Sequence, residues 1–101
     1  MTDKDLYGGL IRLHILHHAA EEPLFGLGFI EELRRHGYEI SAGTLYPMLH
    51  GLEKKGYLTS RRERTGRRER RVYEITETGR AALIEAKAKV RELFGELIEG
   101  R

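Results

Sequence analysis

At 101 residues the chain is long enough for one small domain with one modest core. It has no Cys, which excludes a disulfide frame and thiol chemistry. It also has no apolar run of membrane length and no signal-peptide pattern, so a cytoplasmic protein without a membrane partner is expected. The net charge of +2 is unevenly spread. Residues 61–71 hold seven Arg against Glu63 and Glu69, a local +5, while the other ninety residues hold 11 basic and 14 acidic side chains, a net −3. Charge of one sign confined to one stretch is the footprint expected for phosphate. A charged edge strand guarding against aggregation would not require a single sign.

The first helix is predicted over residues 3–20, with Asp3 as its cap. Leu6, Leu10, Leu13, Leu16 and Ala20 fall on one side, and Tyr7, Ile11 and Ile15 fall nearly opposite. A helix apolar on two sides cannot be satisfied by one small core, so one side is expected on a partner chain. His14 and His18 lie four apart and share a face, a spacing that can chelate a metal, and His17 adjoins them. No carboxylate follows in an H-E-x-x-H pattern, so the expectation is polar residues of an interface or a half-exposed face, with no metal. If they titrate there, the interface would be sensitive to pH.

Glu21, Glu22 and Pro23 break this helix. A second is predicted from Leu27 to about His36, with Phe29, Ile30 and Leu33 inward and Glu31, Glu32 and Arg35 outward. Gly37 stops it, and Tyr38-Glu39-Ile40 forms an extended turn leading to Ser41. A third helix follows, capped by Ser41 and ended by Gly56, with Leu45, Met48, Leu49 and Leu52 on its buried side. Its opposite face carries Gly43, Pro47, His50 and Lys54, flanked by Tyr46 and Gly51. An ordinary solvent face favours Glu, Lys and Arg. A face this bare lets the helix backbone sit deep in a major groove about 12 Å wide.

Two strands are predicted around a Thr65-Gly66 turn. That register sets Arg64 opposite Arg67, Glu63 opposite Arg68, Arg62 opposite Glu69 and Leu58 opposite Tyr73. Arg61, Arg64, Arg67, Arg70 and Arg71 are then without a directly opposed acid. The last helix is predicted from Thr76 to about Glu99, with Glu77 in its first turn. Gly79, Leu83, Ala86, Val90, Phe94 and Leu97 form one stripe, widened by Leu93 and Ile98. The layout is a winged helix-turn-helix, mainly α with a small β-hairpin (α+β). It is expected to divide into a DNA-binding domain at 1–78, with the first helix also in dimer contact, and a C-terminal dimerisation helix at 79–101.

Ser41-Ala42-Gly43-Thr44-Leu45-Tyr46-Pro47, then Leu49, Leu52-Glu53-Lys54 and Gly56, resembles the signature of PadR-like transcriptional regulators. The Gly-Arg wing and Val72-Tyr73-Glu74-Ile75-Thr76-Glu77-Thr78-Gly79-Arg80 extend the similarity, which runs from about Leu6 to the C-terminus. One departure is Gly26-Leu27-Gly28, where the family usually has Gly-Tyr-Glu or Gly-Tyr-Asp. The resemblance implies dimerisation through C-terminal helices and a response to small aromatic or drug-like effectors, in some members at the dimer interface. This chain lacks the Trp that lines such a cavity in some relatives, and Tyr7, Phe29 and Phe94 are read as core rather than as a pocket lining.

The expected function is a dimeric, sequence-specific repressor of double-stranded DNA. The DNA contacts would be Ser41, Ala42, Gly43, Thr44, Tyr46, Pro47, His50 and Lys54 on the helix, and Arg64, Thr65, Gly66, Arg67 and Arg68 on the wing. The homodimer interface would take Tyr7, Ile11, Ile15, Leu83, Val90, Phe94 and Leu97. No G-x-S-x-G, P-loop or recognisable carboxylate pair is present, so neither an enzyme nor a cofactor is expected. A winged helix that serves as a protein-interaction module is the alternative, and it would not need so basic a wing; an RNA-binding winged helix is a further one.

Overall fold

Asp3 caps the first helix by accepting the amides of Asp5 and Leu6 at 3.1 Å each. In the computed structural model, which describes residues 2–101, the elements run α1 (Lys4–Glu21), β1 (Leu24–Phe25), α2 (Gly26–Arg35), α3 (Ala42–Lys54), β2 (Leu58–Thr65), β3 (Arg68–Ile75) and α4 (Glu77–Leu97). This is the α+β winged helix-turn-helix arrangement expected. The sheet adds one strand that was not expected. Leu24 pairs with Tyr73 and Phe25 with Val72, so the order is β1-β3-β2, all antiparallel. Two residues directly after Pro23 carry too short a pattern to read as a strand, and only the pairing with β3 defines them. No helix among the described residues is long and apolar enough to cross a membrane.

The core forms where α1, α2 and α3 close over the sheet. Ile11, Ile15, Leu33, Leu45, Leu49, Leu58 and Tyr73 are the largest fully buried side chains. This corrects the reading of α1. Ile11 and Ile15, expected against a partner chain, are 0 % exposed inside their own chain. Leu83, also expected at the interface, is buried in the same cluster. Both apolar stripes of α1 exist, but α2, α3 and the sheet cover the Ile11–Ile15 side. The stripe left in the open is Leu6 and Leu10, with Leu13 half-buried. Phe29 is core as expected, whereas Tyr7 and Phe94 keep 40 % and 50 % of their surface.

Two glycines fix how the elements meet. At Gly79 a Cβ would lie 2.1 Å from the Tyr57 carbonyl oxygen, so only Gly lets α4 start against the foot of the hairpin. The Thr76 hydroxyl accepts the Gly79 amide at 3.0 Å and donates to the Gly56 carbonyl, which ties the α4 cap to the end of α3. At Gly26 a Cβ would lie 2.6 Å from the Tyr46 ring and hydroxyl, so that side chain rests directly on the start of α2. At Gly28 a Cβ would meet the Phe25 ring at 2.7 Å. The departure at Gly28 thus makes room for the Phe25 ring at the helix start.

Beyond Leu83, α4 leaves the body. The 54 × 32 × 20 Å dimensions and 14.5 Å radius of gyration follow from this projecting helix. A compact chain of this length would have a radius of about 13 Å. Val90, Leu93, Phe94, Leu97 and Ile98 are all at least 44 % exposed on it.

Candidate nucleic-acid interface

On α3 the apolar positions Leu45, Met48, Leu49 and Leu52 are buried, and Gly43, Pro47, His50, Gly51 and Lys54 are exposed together on the other side. The bare face therefore points away from the body. Ser41 occupies the N-cap position, but its hydroxyl makes no cap bond and turns instead to the Thr44 hydroxyl at 3.4 Å. The Ser41 carbonyl receives the amides of Thr44 and Leu45, and those of Ala42 and Gly43 have no partner among the described residues. Such amides at a helix N-terminus suit an anion. Pro47 lies in the second helical turn, and lacking an N–H it leaves the exposed Gly43 carbonyl without its helical donor. Tyr46 is half-buried against Gly26, so its ring is first a packing element.

A depression of about 310 Å³ adjoins this end of α3, lined by Lys4, Asp5 and Arg12 of α1 and by Gly43, Thr44, Pro47 and Met48. Lys4 and Arg12 are exposed there. Sequence reasoning missed both, because their proximity to Gly43 comes from the crossing of α1 and α3. Only their position on the polar side of α1 hinted at them.

The wing corrects the expected register. Thr65 pairs with Arg68, Arg64 with Glu69, Glu63 with Arg70, Arg62 with Arg71 and Leu58 with Ile75. The turn is therefore Gly66-Arg67, not Thr65-Gly66. Gly66 has φ +64°, and no non-glycine residue among those described has positive φ, which is the type II′ pattern with Gly first. A Thr65-Gly66 turn of either primed type would put β-branched Thr65 at positive φ, which is sterically costly. The shift is two residues, so every side chain keeps its face while its partner changes.

The new partners decide which arginines are available. Glu63 binds Arg70 at 3.0 Å and Arg61 at 3.2 Å, and Arg61 also binds Glu74 at 2.7 Å. Hydrogen bonds from Arg70 and then Arg61 hold the Glu63 carboxyl below its ordinary range, and the bonds to Glu74 and Glu63 hold Arg61 above its own. Glu69 reaches diagonally to Arg62 at 3.0 Å rather than to Arg64. Arg71 donates to the Ser60 hydroxyl, which donates to Glu53 on α3 and joins the wing to that helix. Arg70 also lies 3.9 Å over the Phe25 ring. Arg61 and Arg70, expected to be free, are thus engaged. Arg64, Arg67 and Arg68, clustered at the tip with Thr65 and Gly66, have no acidic partner among the described residues.

Of the expected partner contacts, Val90, Phe94 and Leu97 are exposed along α4, and Tyr7 is the only exposed one on α1. An apolar groove of about 530 Å³ runs between the two helices, lined by Leu10, Leu13, His14 and His17 on one wall and by Leu83, Ala86, Lys87, Val90, Arg91 and Phe94 on the other. Burial first, then neighbouring imidazoles, lowers the pKa of His14; burial also lowers that of His18, against the opposing pull of Glu32.

Residues 15–85 match the transcriptional regulator PadR-like family, which comprises regulators rather than enzymes. Transcriptional regulator Rv3488 of Mycobacterium tuberculosis is 50 % identical over 91 residues, covering 90 % of this chain and 85 % of that protein. A PadR family transcriptional regulator from Eggerthella lenta superposes with a TM-score of 0.81 at 32 % identity, over 96 % of this chain and 88 % of its own. PadR of Bacillus subtilis, solved in complex with operator DNA, shares the fold at a TM-score of 0.65 and 22 % identity, over 75 % of this chain and 45 % of its own. The bare helix and its arginine wing thus sit in a sequence matched over nine-tenths of its length by a regulator, and the chain belongs to the PadR-like family of transcriptional regulators.

Proposed function

We propose that the protein is a homodimeric repressor that binds a pseudo-palindromic operator in double-stranded DNA. The observation that carries this reading is the exposed, nearly side-chain-free face of α3 at Gly43, Pro47 and Gly51, on a chain whose wing tip carries three arginines without an acidic partner among the described residues. In this reading α3 enters the major groove. His50 and Lys54 reach base edges or phosphates, while Ser41, Ala42, Thr44 and the Tyr46 hydroxyl meet the backbone at its N-terminal end. Arg64, Arg67 and Arg68 grip phosphates alongside, with the Thr65-Gly66 backbone between them. Phosphate contacts fix register and base contacts give sequence preference.

The dimer would form through the open side of α1, from Leu6 to Leu13, and through Val90, Phe94 and Leu97 of α4. Leu10, Leu13, Val90 and Phe94 line the groove, Leu6 and Leu97 are also exposed, and an apolar patch of this kind supports a partner there. The domain division follows, with α4 beyond Gly79 serving association and the rest serving DNA. Two recognition helices would then address half-sites one turn apart, about 34–36 Å. A second chain closing the α1–α4 groove would create the place for a small aromatic effector that releases the operator.

The test is binding to the DNA upstream of the protein's own gene, read by fluorescence anisotropy beside a scrambled duplex. Wild type should select an inverted repeat. Gly43→Phe should abolish that selection with Tm and oligomeric state unchanged, because Gly43 is exposed and a Cβ there meets nothing closer than the Ser41 hydroxyl at 3.7 Å. Retained operator binding by Gly43→Phe would overturn the groove-entry geometry.

A further inference from the structure

Three imidazoles converge where α1 crosses the end of α2. His14 and His18 come from one face of α1, and His36 is the residue that caps α2. One ring nitrogen of each lies within 4.8 Å of those of the other two. The rings of His14 and His36 stack with centroids 4.6 Å apart, and that of His18 lies 5.5 Å from that of His36. None of the three makes a hydrogen bond among the described residues. A fourth donor stands beside them, for Glu32 Oε1 is 3.5 Å from His36 Nε2 and 3.9 Å from His18 Nε2. Arg35 holds the other Glu32 oxygen at 2.6 Å, which orients the carboxylate and leaves Oε1 turned to the imidazoles.

The geometry points to a divalent transition-metal site, with His14, His18, His36 and Glu32 as ligands to an ion of the Zn2+ class. Imidazole suits Zn2+ and its neighbours, and three imidazoles with one carboxylate complete a tetrahedral set. Zn–N bonds of about 2.0–2.1 Å place ligand nitrogens roughly 3.4 Å apart. The observed spacing is too long for hydrogen bonds between the rings, and a closure of about 1.5 Å brings it to a coordination sphere. Side-chain rotation supplies that closure, since His36 is exposed and the other two are only half-buried. Tyr38 and Phe29 stand edge-on to His14 and His18 at 5.3 and 5.4 Å and wall the site on its inner side. Arg35–Glu32 is the kind of outer contact that fixes a ligating carboxylate.

The site joins elements that sequence alone keeps apart. Of its α1 ligands, His14 also lines the groove with His17, and its other two ligands are Glu32 of α2 and His36, the cap that begins the turn toward α3. A bound ion would pin the start of that turn to α1. The proposal does not depend on operator binding and is tested without DNA.

Zn2+ is titrated into metal-free protein by calorimetry, with Co2+ as a spectroscopic probe. Wild type should bind one ion per chain, show the intense visible bands of tetrahedral Co2+, and gain about 10 °C in Tm with Zn2+ at a hundredfold excess over Kd. His36→Gln, at an exposed position, should lose the Co2+ bands and weaken Zn2+ binding by about 100-fold or more. Glu32→Gln should weaken it by about 10–100-fold. His17→Gln, outside the cluster, should bind as wild type does. The metal-free Tm of each variant confirms that it folds. The proposal is overturned if wild type gives no tetrahedral Co2+ spectrum, or if His36→Gln binds Zn2+ as tightly as His17→Gln.

Discussion

Replacing Arg64, Arg67 and Arg68 together with Ala separates arginines available to DNA from those the wing uses for itself. The seven arginines of the hairpin are not equivalent. Arg61, Arg62 and Arg70 are in ion pairs of 2.7–3.2 Å with Glu74, Glu63 and Glu69, and Arg71 is hydrogen-bonded to Ser60. Among the described residues the three at the tip have neither an ion pair nor a side-chain hydrogen bond to release before meeting phosphate, whereas Arg71, though without an acidic partner, would have to leave Ser60. Each phosphate contact contributes about −0.9 to the slope of log K against log salt on duplex DNA. Six such contacts in a dimer contribute roughly −5, which weakens binding about 1,000-fold between 50 and 200 mM salt. The triple variant should lose that part of the slope on operator and random duplex alike. Arg61→Ala with Arg70→Ala is the comparison, and it should move the slope by less than about 2 for the dimer. Anisotropy titrations across that salt range read both numbers. Equal loss of slope in the two variants would refute the division into free and engaged arginines, and an unchanged slope in the triple variant would refute the wing contact itself.

Other predictions follow from packing. Gly79→Ala puts a methyl 2.1 Å from the Tyr57 carbonyl and 2.8 Å from Ile75, and backbone cannot yield as a side chain can. The cost should be about 3 kcal/mol or more, and a Tm within about 5 °C of wild type would contradict the contact. Tyr73 is fully buried with a hydroxyl that has no hydrogen-bond partner among the described residues, and burial raises its pKa. Tyr73→Phe removes that orphan and should stabilise by about 1 kcal/mol, raising Tm by roughly 4–8 °C. A fall in Tm would mean that the hydroxyl is satisfied. Phe94→Glu with Leu97→Glu should leave the monomer fold intact and weaken the dimer by at least about 2 kcal/mol per side chain. Sedimentation at micromolar concentration checks it, and an unchanged dimer would exclude this face.

What the sequence carried well was anything set by local periodicity. The span of α1, the buried stripe of α3 and the Thr76 start of α4 lie within a residue or two of where the chain places them. The bare face of α3 was legible for the same reason, since a helix with Leu45, Leu49 and Leu52 buried must present Gly43, Pro47 and His50 outward. Pairing across the chain was not legible. Thr65-Gly66 and Gly66-Arg67 both place the one glycine in the turn, and what separates them is the steric cost of positive φ at Thr65. Similarly, β1 is two residues long and exists because β3 offers it a free edge.

The first helix shows most clearly why one pattern can be read correctly and assigned wrongly. Periodicity identified two apolar stripes on it and the need for two neighbours, but it could not say which neighbour each stripe meets. That is decided by the crossing of α1 over the sheet, which puts Ile11 and Ile15 against Leu45, Leu49 and Tyr73 in one cluster and leaves Leu6 and Leu10 outside. The same crossing brings Lys4 and Arg12 to the N-terminal end of α3, and His14 and His18 to the C-terminal end of α2. A single helix thus borders α3 at one end, the histidine cluster at the other, and an open apolar groove along its outer side. Any ligand or partner that shifts α1 acts on all three, because a packed core moves between discrete arrangements rather than deforming continuously. Coupling between the proposed dimer face and the proposed DNA-reading face is therefore to be sought in displacements of α1, not along the chain from α3 through the wing to α4.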